Sequence, residues 1–561
     1  MISPELSEVY DAIAARSDDH TWITVRPYDD VAAEAGRPGP LSGVPFAVKD
    51  NIDVAGLPTT AACPSYSYLP TSSAPLVGRL LAAGALLVGK TNLDQFATGL
   101  SGARSPYGTC ESPLVPGLIS GGSSSGSAVA VAAGLVPFAI GTDTAGSGRV
   151  PAALTGTVGL KPSRGLVSTL GVVPACASLD CPSVFARSVA EALEVLAVIA
   201  GPEPGDPWSR SLPIPGPVPV ATGPLRVGVP DRPEFFGDGA AAVAFTEAMD
   251  RLAGLGHALI PIDLSPFLAA GNLLYGGPWL AERLTGIGDF VKTHPEELHP
   301  VTRRVLYGAD TISGTSAFAG LHTLQSLRRE TDATWAKIDT LAVPTVPTTY
   351  TIREMEEDPI GRNTVLGRYT TFANLLDLAA IAVPAGTTAI GRPHGITLLG
   401  PAGSDALLAG AAAAFHASAG GPPVAPVADP DRPLLAVVGA HRAGQPLHRH
   451  LTELGAIARG TVCTAPLYRL YALNGGSPPR PGLIREPAGG LRIEVELYEL
   501  RPAALGTLLI QNRPPLSLGT VRLDDEREVL GFLCEPYAVH DATDISHHGS
   551  WPAFLSTAPL G

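Results

Sequence analysis

The sequence predicts an α/β fold for the first three quarters of the chain and a smaller β-rich α+β unit for the rest. From about residue 40 to 200, short apolar or β-branched runs alternate with Ala/Leu-rich stretches of helical length, the signature of strands and helices packed in layers. Hydrophobic residues are 45% of the 561 and charged residues 16%, enough apolar material for a large core. A proline-rich break, Gly420 to Pro433, then separates this pattern from a later group of strands.

The elements follow in order. Val44 to Lys49 is an apolar strand ending in a lysine whose amine it would bury. Val77 to Ala83 is helical and leads into the strand Ala85 to Val88; Ser127 to Leu135 is helical and leads into Pro137 to Ile140. Seven prolines between 202 and 219 exclude regular structure over 202 to 223. That stretch reads as an internal connection, because the strand-like Leu225 to Val229 resumes the α/β pattern. Beyond the second break, Leu434 to Gly439, Leu491 to Leu500 and Val529 to Glu535 are strands. The expected organisation is a first domain over 1–421, a proline-rich linker over 422–433 and a second domain over 434–561.

The net charge of −14 argues against a nucleic-acid partner, since phosphate binding needs a basic footprint. An anionic small molecule remains open, provided that a local arginine opposes the overall field. The N-terminus carries acids where a secretory signal has basic residues, so a cytoplasmic protein is expected. Leu114 to Thr142 holds no Asp, Glu, Lys or Arg, but its prolines, glycines and serines mark a buried loop and helix and not a membrane span. The six cysteines form no Cys-x-x-Cys pair, and buried free thiols are expected. Cys176 and Cys181 invite a metal reading only by their nearness, and no histidine set has metal-ligand spacing. No metal and no cofactor are expected.

Chemistry concentrates in Gly141 to Pro151, Gly-Thr-Asp-Thr-Ala-Gly-Ser-Gly-Arg-Val-Pro, and in the preceding Gly-Gly-Ser-Ser-Ser-Gly-Ser at 121–127. A serine hydroxyl becomes a useful nucleophile only with a base in reach and donors for the oxyanion that forms. Ser147 follows two small residues that let several backbone N–H groups converge. Ser123, 24 residues earlier, lies in a glycine-flanked turn able to bend towards it. Lys49 is the available base, and burial beside Val44, Phe46 and Val48 would lower its pKa. A flexible glycine-serine loop would explain the composition but not Lys49. A phosphate loop would need a Lys-Ser or Lys-Thr pair that is missing.

These segments, with Gly-Val-Pro-Phe-Ala-Val-Lys-Asp at 43–50, Gly-Lys-Thr-Asn-Leu-Asp-Gln-Phe at 89–96 and Gly-Leu-Lys-Pro at 159–162, resemble the amidase signature family of amide hydrolases. The resemblance implies a mixed central sheet flanked by helices. It makes Lys49 the base, Ser123 the bridging serine after a cis peptide, and Ser147 the nucleophile. The backbone N–H groups of Thr144, Ala145, Gly146 and Ser147 would form the oxyanion hole. Asp143 and Arg149 would make a buried structural pair, with Lys90 and Lys161 as scaffold.

Ala145-Gly146 replaces the two glycines common before the nucleophile, and Thr-Ala-Gly-Ser-Gly-Arg-Val-Pro resembles the branch of the family that hydrolyses allophanate. In that branch a Tyr-x-x-x-Trp-x-x-x-Arg stretch serves the substrate, and Tyr275 and Arg283 match it; eight apart on one helix, both would face one cleft. The plainer alternative is a core tyrosine and a surface arginine. Val437 to His441, Thr464 to Leu473, Pro481 to Arg485 and Gly549 to Trp551 resemble the C-terminal domain of the same branch, which resembles the γ-glutamyl cyclotransferase-like fold. His441 matches its acid/base for decarboxylating the product, against the commoner structural histidine. The partners implied are allophanate, a separate urea carboxylase or biuret hydrolase as its source, and a second copy of the chain in a homodimer. Two rival readings are another amidase, such as one that serves in an amidotransferase, and a non-catalytic scaffold on an amidase core.

Overall fold

Parallel strands buried on both faces read as unbroken apolar runs, and the centre of the first unit is built from them. In the computed structural model, which describes residues 4–217, 219, 223–421, 433–475, 478–500, 502–512, 514–525 and 527–557, the chain forms two compact units, Met1–Ala425 and Pro426–Gly561. The expected linker over 422–433 lies, except for Pro433, outside the described residues.

The first unit carries an eleven-stranded mixed sheet. Its strands are β1 (Trp22–Val25), β2 (Pro45–Lys49), β3 (Leu86–Thr91), β4 (Phe138–Asp143), β5 (Val158–Lys161), β6 (Cys181–Ala186), β7 (Arg226–Pro230), β8 (Ala258–Ile262), β9 (Thr340–Pro344), β10 (Leu378–Thr387) and β11 (Pro393–Pro401). They lie in the order β1-β3-β2-β4-β6-β5-β10-β11-β9-β7-β8. β2 runs parallel to both β3 and β4, with Val48 opposite Ile140, so Lys49 at the end of β2 comes level with the last residues of β4. β6 joins β4 antiparallel, which makes the sheet mixed.

Every residue of β2, β3 and β4 is buried. The helices Pro75–Ala82 and Val189–Ile199 cover part of the sheet through Leu76, Val77, Leu80, Leu193 and Leu196. Helix Ser125–Ala132 is buried almost throughout, and its small residues allow this close approach; a Cβ on Gly126 would fall 2.3 Å from the Thr21 carbonyl oxygen. No element occupies the stretch between Ile199 and Arg226 among the described residues, as its prolines require. No helix among the described residues is long and apolar enough to cross a membrane.

The second unit holds two sheets. One is five-stranded, with β12 (Leu434–Val437) between β16 (Glu494–Glu499) and β18 (Glu528–Cys534), and with β13 (Ile457–Cys463) and β17 (Leu516–Arg522) at its edges. The other joins β15 (Pro481–Arg485), β14 (Tyr468–Ala472) and β19 (Thr543–Asp544). Helix Pro502–Gln511 supplies Leu505 and Leu508 to the core around Leu435, Val437 and Phe532.

Candidate active site

The carboxyl ends of β2 and β4 bring Lys49 to the serine-rich segment. Lys49 is fully buried, and its Nζ lies 2.8 Å from Ser123 Oγ, 3.0 Å from Ser124 Oγ and 2.8 Å from Thr142 Oγ1. The Gly122–Ser123 peptide is cis. Burial lowers the Lys49 pKa from its ordinary 10.5 to about 7, against the opposing pull of Asp94, Asp180 and Asp143. Sequence reasoning missed Ser124 and Thr142, and they decide what the amine can do. The Ser124 hydroxyl donates to the Thr142 carbonyl oxygen at 3.1 Å, so it can only accept from Lys49. Thr142 Oγ1 also receives Asn51 Nδ2 at 3.4 Å. A neutral Lys49 can therefore spend its two N–H groups on Ser124 and Thr142 and turn its lone pair to the Ser123 hydroxyl.

Ser147 lies on the turn between β4 and the helix Val150–Thr155 and is 3% exposed, so its hydroxyl sits at the floor of any approach from solvent. The turn is held by its carbonyls. Asn374 Nδ2 donates to the Asp143 oxygen at 2.8 Å, Thr370 Oγ1 to the Ala145 oxygen at 2.8 Å, and the Arg149 and Val150 amides to the Gly146 oxygen. Position 146 must be glycine: its φ is +128°, and a Cβ would fall 2.3 Å from Thr370 Oγ1.

The expected oxyanion hole is corrected at one residue. The Gly146 amide donates to Asp143 Oδ1 at 2.9 Å and is already engaged, because Asp143 folds back over its own turn and also receives the Gly148 amide at 3.0 Å. The amides of Thr144, Ala145 and Ser147 have no such acceptor among the described residues. Asp143 and Arg149, both fully buried, form a two-pronged ion pair with the closer contact at 2.9 Å. Lys90 pairs with Asp50 at 3.1 Å, and Lys161 donates to the Pro162 oxygen, both away from Ser123 and Ser147 in their bonding.

Asp180 was not singled out from the sequence. Its buried carboxylate accepts from Thr144 Oγ1 and from the Ala175 and Cys176 amides. Burial raises its pKa to about 6 in spite of those donors. Asp180 thus ties the nucleophile turn to residues 175–176, whose Cys176 thiol donates to the Trp279 oxygen at 3.3 Å. Cys176 and Cys181 are spent on carbonyl oxygens, and burial pushes both thiols up. Among the described residues no group of His, Cys, Asp and Glu is arranged to hold a metal ion.

Tyr275 and Arg283 do not share a helix, contrary to the expectation. Tyr275 ends the helix Ser265–Gly276, Gly277 is extended, and Arg283 belongs to the next helix, Trp279–Thr293. Pro278 cannot donate the amide that would carry the first helix on. The pair still meets: the guanidinium carbon lies 5.4 Å from the Tyr275 ring centroid, within cation–π range. Arg283 is 2% exposed, which removes the surface-arginine alternative. Its Nη1 donates to Thr98 Oγ1 at 3.1 Å, while Nε and Nη2 are buried without a partner. Such donors are costly unless something fills the site, and two on one guanidinium edge fit a carboxylate.

In the second unit His441 follows β12 and lines a cavity of about 400 Å³ with His450, Glu453, Arg480, Gln511 and Phe532. Its ring stacks on Phe532 at 5.2 Å between centroids. Burial, with the charges of His450 and His448, lowers its pKa to about 4, so at neutral pH it enters a proton transfer as an acceptor.

Residues 6–409 match the family model described as Amidase, and residues 433–556 match that of the Allophanate hydrolase C-terminal domain. The chain is 40% identical over 543 residues to Urea amidolyase of Saccharomyces cerevisiae, an alignment covering 92% of this chain and 30% of the relative. It thus spans about a third of the length of that curated relative. The solved structure of Kluyveromyces lactis allophanate hydrolase superposes with a TM-score of 0.74 at 36% identity, covering 98% of this chain and 96% of the other. The amidase-type component of the Glutamyl-tRNA(Gln) amidotransferase of Synechococcus sp. is 35% identical over 404 residues, 66% of this chain and 83% of the relative.

Proposed function

The chain belongs to the amidase family, and on that premise we propose that it hydrolyses allophanate, urea carrying an N-carboxylate. The observation that carries the proposal is Arg283. A buried guanidinium with two unpaired donors on one edge, beside Tyr275, asks for a small substrate bearing a carboxylate. The second matched domain and the likeness to allophanate hydrolase along nearly the whole chain support the same substrate. They weigh against a component of an amidotransferase, whose match stops at two thirds of this chain.

In this reading neutral Lys49 takes the proton of Ser123, and Ser123 takes that of Ser147 as Ser147 Oγ attacks the terminal carbonyl carbon. The amides of Thr144, Ala145 and Ser147 receive the developing oxyanion. The proton returns along the same path to the departing nitrogen, and ammonia leaves with the carbon–nitrogen bond broken. Water then attacks the acyl ester, its proton passing to Lys49 through Ser123, and Ser147 leaves reprotonated. The product is N-carboxycarbamate. Its decarboxylation, to ammonia and carbon dioxide in the end, is assigned to the cavity of the second unit with His441 as proton acceptor. The Urea amidolyase relatives support carboxylated urea as the source of substrate.

The test is release of ammonia from allophanate beside malonamide and acetamide. Turnover of allophanate well above both neutral amides is expected. Equal efficiency on all three would overturn the assignment and favour a general amidase.

A further inference from the structure

A guanidinium can meet a carboxylate through its Nη1/Nη2 end or its Nε/Nη2 side, and which one is presented depends on what holds the remaining nitrogen. In this chain that nitrogen is Nη1 of Arg283, and its holder is Thr98 Oγ1, 185 residues away in sequence. The Thr98 hydroxyl donates its own proton to the Phe96 carbonyl oxygen at 3.1 Å, so it faces Arg283 as an acceptor. Only the Nε/Nη2 side is then left open.

Thr98 is fixed with unusual firmness for a loop residue. Its carbonyl oxygen accepts Arg104 Nη1 at 2.9 Å, and Arg104 Nη2 is anchored on the Pro359 oxygen at 2.6 Å. The Asp94 carboxylate gathers the amides of Ser101, Gly102 and Arg104, closing the loop on itself. Phe96 and Ala97 sit at φ 50° and 51°, a region that L residues avoid, so the surrounding bonds hold the loop against its local preference. The same Asp94 donates its amide to the Ser123 carbonyl oxygen at 3.0 Å. A Cβ on Gly99 or Gly122 would fall 2.5 or 2.2 Å from Asp94 Oδ2, so nothing larger fits between the loop and the serine turn. One loop therefore braces both Ser123 and the holder of Arg283.

We propose that Thr98 is the positioning residue that sets carboxylate specificity: by engaging Nη1 of Arg283 it turns the Nε/Nη2 side of the guanidinium to the substrate carboxylate. The proposal rests on the reading of Arg283 given above and adds which edge binds and what aims it. A carboxylate held remote from the reacting carbon is bound equally in ground and transition states, so its loss raises KM and leaves kcat.

The experiment compares Thr98→Val, Thr98→Ala and Thr98→Ser with Arg283→Lys in the full chain, by steady-state ammonia release from allophanate. Thr98→Val and Thr98→Ala are expected to raise KM about tenfold with kcat within about twofold, and Thr98→Ser to restore both, because only the hydroxyl is needed. Two cavity-altering variants are used so that a folding failure of one leaves the other to report. If KM stays unchanged in both while Arg283→Lys raises it, Thr98 has no part in positioning and the reading of Arg283 stands. If kcat falls alone, or Thr98→Ser is as impaired as Thr98→Val, the residue is merely structural and the proposal is overturned. If Arg283→Lys leaves KM unchanged, the reading beneath fails and takes the proposal with it.

Discussion

Lowering the pH should silence this enzyme through Lys49, and the size of the effect follows from the burial of one amine. A lysine at its ordinary pKa of 10.5 would be neutral in about one molecule in three thousand at pH 7. At a pKa of about 7, half the molecules carry the neutral amine. Burial thus raises the competent fraction roughly a thousandfold, on the order of what a well-placed general base supplies. The sign is fixed by the role: protonation removes the lone pair, so kcat/KM must fall as pH drops below the folded-state value. It should reach about a tenth of its plateau one unit below the midpoint and about nine tenths one unit above.

The assay is initial ammonia release at low allophanate from pH 6 to 9, corrected for spontaneous breakdown of the substrate. Asp180, raised to about 6, is the neighbouring group that could imitate the acid limb. Repeating the profile with Asp180→Asn separates them, since a limb set by Lys49 keeps its slope there. A flat profile between pH 6 and 8, or a midpoint above pH 9, would refute the argument that burial prepares Lys49 as the base.

Ser147→Ala should abolish ammonia release, and Ser123→Ala or Lys49→Ala should leave at most a trace. As one proton-transfer unit their losses should not add, so a double variant much worse than Ser147→Ala in single-turnover assays would count against the assignment. Asp143→Asn strands the Arg149 guanidinium in a fully buried site and should cost about 3–5 kcal/mol, read from the shift in denaturant midpoint; a shift worth under about 1 kcal/mol would show the pair to be dispensable. His441→Ala should leave the first ammonia release intact while N-carboxycarbamate accumulates in carbon-13 NMR. An unchanged product time course, at matched first-step rates, would reduce the cavity in the second unit to a structural role.

The sheet around the site was legible because β2 and β4 are buried on both faces, and burial of that kind leaves unbroken apolar runs in a sequence. The triad positions were legible for a different reason: a lysine at the end of such a run and serines among glycines have few other uses. Ser124 and Thr142 were not, since their contact with Lys49 depends on the register between two parallel strands 93 residues apart, which no local pattern encodes. The engaged Gly146 amide was likewise hidden, because it follows from the direction in which the Asp143 side chain folds. The helix break at Gly277-Pro278 was written plainly in the sequence. It was overridden by the attraction of an eight-residue spacing, and the cation–π contact survives because two helices meeting at a corner can bring their ends as close as two turns of one.

What the site has in common with its surroundings is the handling of charge without water. Lys49 is buried among hydroxyls and made neutral, Arg149 is buried and paired, and Arg283 is buried and left half satisfied. These are three solutions to one desolvation cost, and each suits a different task. A base must lose its charge to act, a scaffold pair must keep its charge compensated, and a binding group must keep an open valence for the ligand. That open valence carries a stability cost in the free enzyme, which an anionic ligand would remove on binding. A carboxylated substrate should for that reason raise the unfolding temperature of the Ser147→Ala protein, where turnover cannot consume it, and the same ligand should do so far less when Arg283 is also replaced by Lys.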